Sequence, residues 1–187
     1  MAIRLEGTAP DGAGVNEQKV NGEGQALTFA VTQSELEHES EQNGSGYTWA
    51  SDVINAGAAN DTTLLVKNTS DVHLHIDSIF ISCGSVSSEY TIHIPTVEVT
   101  VTAGSGGAVV TGRNLNTASS NVADASAASN ESNNSQGNVI NTVFLAVDRS
   151  KLFLTPGLIL GKNKSLGVDT VADTTEAAVT ITGHYAV

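Results

Sequence analysis

Val72-His73-Leu74-His75-Ile76-Asp77-Ser78-Ile79-Phe80-Ile81 is the stretch that decides the fold. Over its first five residues apolar and polar side chains alternate strictly, the period of a strand with one buried face. After Asp77-Ser78 the apolar set resumes at Ile79 and Ile81, so its phase moves from even to odd positions. A strand keeps a single buried face through such a change only by taking in an extra residue. The stretch therefore predicts a strand with a β-bulge near Asp77-Ser78.

The same period recurs on both sides of it. Ala26–Gln33 places Leu27, Phe29 and Val31 on one face, and Thr62–Asn68 reads as a further strand. Tyr90-Thr91-Ile92-His93-Ile94 and Val97-Glu98-Val99-Thr100-Val101 are two more, separated by Pro95, which cannot donate to a ladder. Ala108–Thr111, Val139–Val147, Lys151–Leu154, Leu158–Leu160 and Glu176–Val187 complete the set. No window of a dozen residues carries a helical stripe. Short strands bounded by Gly, Asn, Asp and Pro predict an all-β chain, a jelly-roll-like β-sandwich of about eight to ten strands.

Two segments fall outside that pattern. Residues 1–25 hold five glycines (Gly7, Gly12, Gly14, Gly22, Gly24) and little to bury, which predicts a flexible N-terminal arm before a sandwich domain over 26–187. Residues 114–138 contain seven Asn, six Ser and five Ala. Such a tract buries too little apolar area to offset ordering costs of about 1–2 kcal/mol per residue, so a loop is expected there.

Charge and cysteine content exclude whole classes. Across 187 residues, 20 acidic groups against 8 basic ones leave a net charge of −12. Nucleic acid and anionic membranes, which require cationic surfaces, are not expected partners. No apolar run approaches the roughly 20 residues that span a bilayer, and Met1–Gln25 has no apolar core of a secretory signal. Cys83, the one cysteine, rules out an internal disulfide and reads as a small, partly buried hydrophobe.

Three groups of residues are candidates for binding. Glu35, Glu37, Glu39 and Glu41 alternate within Ser34–Glu41. On a strand they share one face; on a helix Glu35 meets Glu39 and Glu37 meets Glu41, and either arrangement reads as a solvated acidic face or as one that gains from a cation or a basic partner. His73 and His75 lie two apart with Asp77 following, the spacing either of a metal-free polar strand face or of a strand-borne metal site to which His93 or a symmetry mate would add one further ligand. The predicted bulge turns Asp77 away from that row. Tyr47 and Trp49 would serve either as a stacking platform for a sugar or as core anchors of an early strand. No Gly-x-Ser-x-Gly elbow is present, and Ala103-Gly104-Ser105-Gly106-Gly107 reads as a turn rather than a phosphate loop. No enzymatic activity and no cofactor is expected.

The run Asp61-Thr62-Thr63-Leu64-Leu65-Val66-Lys67-Asn68-Thr69-Ser70 with Val72–Ile79, and Val110-Thr111-Gly112-Arg113-Asn114-Leu115-Asn116 with the Ser/Ala/Asn-rich stretch after it, resemble segments of small virion proteins of tailed bacteriophages. The resemblance spans about residues 47–145. It implies a head decoration (cement) protein, a sandwich or jelly-roll homotrimer on the capsid surface whose partner is the major capsid protein. It carries over no catalytic residue. A receptor- or glycan-binding module of a phage fibre is the alternative, resting on Tyr47, Trp49 and the 114–138 tract.

Overall fold

The structure, a computed structural model, describes residues 6–8, 15–17, 34–55, 62–131, 137–171 and 176–186. The chain forms two compact units that divide between Gln33 and Ser34, eight residues beyond the end of the expected arm. Within the first unit, β1 (Glu6–Thr8) and β2 (Val15–Glu17) pair antiparallel with Glu6 opposite Glu17. The strand expected over Ala26–Gln33 lies outside the described residues.

The second unit begins with a four-residue helix, α1 (Glu35–His38), continued by a π-helical turn over Glu39–Asn43. Twelve strands follow: β3 (Gly46–Ala50), β4 (Ile54–Asn55), β5 (Thr62–Asn68), β6 (Leu74–Cys83), β7 (Ser88–Ile94), β8 (Val109–Val110), β9 (Arg113–Asn114), β10 (Ala125–Glu131), β11 (Asn138–Leu145), β12 (Ser150–Leu160), β13 (Ser165–Thr170) and β14 (Glu176–Tyr185). They make two antiparallel sheets. The first runs β11-β7-β13-β5-β10-β8, and the second runs β12-β6-β14-β3-β9 with β4 beside one end of β14.

The sheets pack as a sandwich. Leu64, Val66, Tyr90, Ile92, Leu166 and Val168 of the first sheet meet Trp49, Leu74, Ile76, Ile79, Ile81, Val179 and Ile181 of the second in one buried cluster. Alternation along each strand explains the membership, since every second residue points between the sheets. Cys83 belongs to this core, and its Sγ donates to the Val86 carbonyl at 3.0 Å.

The bulge falls where the change of phase places it. β6 pairs with β14 as Ser78 to Thr182 and then Ile76 to Gly183, so Asp77 has no opposite number. Leu74, Ile76, Ile79 and Ile81 therefore all stay buried. On its other side β6 meets β12, where Leu154 pairs with Ser78 and Leu158 with Ile76. Thr155–Gly157 loops out there, with Gly157 in the left-handed region at φ 84°. Lys151–Leu154 and Leu158–Leu160 are thus one bent strand instead of two.

Two expectations are corrected. Val97–Val101 is no strand: from Pro95 to the turn at Gly104–Gly107 the described ladder contact is the single bridge Ala103–Glu131. Its alternation does not become a buried face: Val97 is exposed, and only Val99 is buried, its carbonyl accepting from Lys67 Nζ at 2.9 Å. The 114–138 tract is not one loop. Its residues 125–131 form β10, laddered to β5 on one side and β8 on the other, with Ala127 and Ala128 buried. Composition undervalues such a strand because its stability comes from ladder bonds and neighbours' side chains, not from its own apolar area.

Candidate metal centre

Local sequence fixes the helix that covers the site. The Ser34 hydroxyl accepts from the Glu37 N–H at 3.2 Å, and Glu37 Oε2 accepts from the Ser34 N–H at 2.9 Å. This reciprocal capping box starts α1 at Glu35. The π-helical turn ends at Gly44, whose φ of 62° suits a residue without Cβ. Between them Glu39 is buried. Its Oε2 accepts from Asn43 Nδ2 at 2.7 Å and Ser45 Oγ at 2.8 Å, and its carbonyl accepts from the Ser45 N–H at 3.0 Å. Burial alone would raise the Glu39 pKa, but these hydrogen bonds, with His38 and His184 nearby, outweigh it and hold the carboxyl below its usual range. At Gly46, directly after the turn, a Cβ would run into Ser40 Oγ and stand 3.3 Å from Leu36 Cδ1. The missing side chain lets the helical turn lie close on β3.

Beneath that turn, on the outer face of the second sheet, β6 and β14 set His75 directly opposite His184. Their rings lie 5.1 Å apart, tilted by 35°. The bulge keeps Asp77 beside them, with its Oδ2 2.9 Å from His184 Nδ1. A carboxylate only accepts, so Nδ1 carries the proton in this pair. The opposite ring nitrogen, Nε2, is buried and makes no hydrogen bond. It faces Glu35 Oε1 across 3.7 Å, longer than a hydrogen bond. One ligand atom each from Glu35, His75 and His184 lies within 4.8 Å of the others. Burial lowers the His184 pKa, but the hydrogen bond and charge of Asp77, with the charge of Glu35, more than compensate and raise it above the usual value.

The residues singled out from sequence part company here. His75 is in the cluster and His73 is not: β6 begins at Leu74, so strand alternation does not extend back to the exposed His73. His93 stands in the first sheet, fully buried, with its Nδ1 3.1 Å from Asp169 Oδ2. The four glutamates share no common face. Glu35 turns to the histidines, Glu37 caps the helix, Glu39 is buried, and Glu41 lies exposed on the π-helical turn. Asp77 is not turned away by the bulge but held against His184.

Tyr47 and Trp49 are core anchors. Trp49 is fully buried, Tyr47 is 3% exposed, and their rings are 6.1 Å apart, so neither offers a face to a sugar. The residue that sequence reasoning missed is His184. Its signal would have been the pairing of the last strand with β6, which two strands 107 residues apart do not announce. The capping-box spacing Ser34-x-x-Glu37 is a signal for the start of α1 that the reading of Ser34–Glu41 as an acidic stretch did not use.

Comparison of the chain with protein-family models, with curated proteins and with solved structures returns no match.

Proposed function

We propose that this chain is a virion structural protein of the head-decoration type, acting as a homotrimer that binds the major capsid protein on the capsid surface. The observation that supports assembly is a pair of open apolar edges. β11 closes one end of the first sheet and β12 one end of the second, so among the described residues each has no neighbouring strand on one side. Val139, Ile140 and Phe144 on β11, with Leu152, Leu154 and Ile159 on β12, are all exposed. Between the two edges runs a cleft of about 280 Å³ lined by Ile92, Ile140, Phe153, Leu154 and Leu158. Single chains ordinarily blunt such edges with charge, proline or a covering loop. An apolar pair left open on an acidic chain fits a surface covered by a second copy.

Light scattering coupled to size exclusion tests the reading. A trimer is the expected result, together with co-sedimentation with heads of the phage that carries the protein. Replacing Phe144 and Leu154 by Glu should return the oligomer to monomers without unfolding, because both side chains are exposed. A wild-type monomer that does not sediment with capsids overturns the proposal. With Tyr47 and Trp49 buried, the glycan-binding alternative rests on the 114–138 tract alone.

A further inference from the structure

We propose that Glu35, His75 and His184 bind one zinc-class divalent cation that clasps α1 to the outer face of the second sheet. The donor set is two imidazoles and a carboxylate, a combination suited to Zn²⁺ with a fourth position left for water or another ligand.

Three independent features of the cluster converge on this. His184 is 2% exposed and its Nε2 has no hydrogen-bond partner, an arrangement that costs free energy unless something accepts the lone pair. Asp77 fixes the tautomer that aims this lone pair at the other two donors, as the outer carboxylate does in carboxylate–histidine–metal triads. The spacing is also suitable. Bonds of about 2.0–2.1 Å at tetrahedral angles put ligand atoms about 3.3–3.4 Å apart, and Glu35 Oε1 is already 3.7 Å from His184 Nε2. Glu35 is largely exposed, so its side chain is free to close the remaining distance.

The capping box and the buried Glu39 hold α1 over the histidines without any ion. Metal would therefore find the site built and add a bond between the first turn of the sandwich unit and its central strands. Asp77 is a positioning residue here, touching the imidazole and not the ion.

The experiment is titration of the full-length chain, freed of metal by chelator, with ZnCl₂ and separately with CoCl₂ at neutral pH. Calorimetry should show one Zn²⁺ per chain at micromolar affinity or tighter, with a rise in the thermal midpoint. Co²⁺ should develop the visible absorption of a four- or five-coordinate ion with nitrogen ligands. His75→Ala and Glu35→Gln should each weaken binding by about tenfold or more, and Asp77→Asn by a similar factor through the orientation of His184. His73→Ala and His38→Ala should leave it unchanged, and circular dichroism of every variant verifies the fold. Failure to bind Zn²⁺ below millimolar concentrations overturns the proposal. So does a stoichiometric ion whose affinity survives both His75→Ala and Glu35→Gln. Because the readout is per chain, it stands or falls apart from trimer formation and capsid binding.

Discussion

The two sheets each hold a histidine–carboxylate pair, and the pairs are opposites. In the first sheet His93 and Asp169 sit 3.1 Å apart with both side chains sealed from solvent, and Thr62 Oγ1 donates to Asp169 Oδ1 at 2.7 Å. In the second sheet His184 and Asp77 sit 2.9 Å apart, but Asp77 is partly exposed and the far nitrogen of His184 opens toward Glu35 and His75. Residue types and distances are nearly the same, while depth differs. A pair closed on all sides serves the packing of the strands around it. A pair on the outer face of a sheet, with one nitrogen left over, is placed for chemistry with something that arrives.

Breaking the carboxylate in each pair tests the contrast at its widest. Asp169→Ala strips the buried pair and leaves Thr62 and His93 facing a void, at an expected cost of about 3–5 kcal/mol. Asp77→Ala removes a hydrogen bond that water can partly replace, and about 1 kcal/mol is expected. Urea denaturation of both variants provides the comparison. Equal losses would show that the second-sheet pair is as structural as the first.

Glu39 sharpens the picture between those extremes, being a buried carboxylate under the metal-site helix. Glu39→Ala should cost about 1–3 kcal/mol, since it orphans the Asn43 and Ser45 donors. Its pKa lies below the ordinary 4.5 in the folded chain, so its contribution is complete above that value and disappears as pH falls through the lower folded value. The stability gap between wild type and Glu39→Gln should accordingly be largest at neutral pH and close as the solution is acidified. A gap that widens in acid would contradict the hydrogen-bonded carboxylate described above.

The smallest effect is expected at the helix start. Ser34→Ala removes the hydroxyl half of the capping box and should cost about 1 kcal/mol of local helix stability. Because α1 carries Glu35, Zn²⁺ affinity should drop by about fivefold or less, with the global denaturation midpoint nearly unmoved. Hydrogen exchange at Glu37 and His38 checks the local opening. Loss of global stability instead would mean that α1 is integral to the sandwich and not a cover on it.

Sequence by itself determined most of the strands whose apolar residues alternate and the bulge at Asp77. Each follows from a rule that acts within a few residues: side chains alternate, and a change of phase needs one extra residue. Local rules also reached too far. They read a strand into Val97–Val101, which joins no ladder among the described residues, and a loop into 125–131, where small residues are held by the ladders of β5 and β8.

Only the tertiary structure decided which histidines meet. His73 and His75 are two residues apart in the chain and separate in the cluster, because the strand begins between them. His75 and His184 are far apart in the chain and face each other, because β14 pairs with β6 in a register set by the bulge. Strand pairing depends on which buried faces fit across the sandwich, and that fit is a property of the whole core rather than of any one segment.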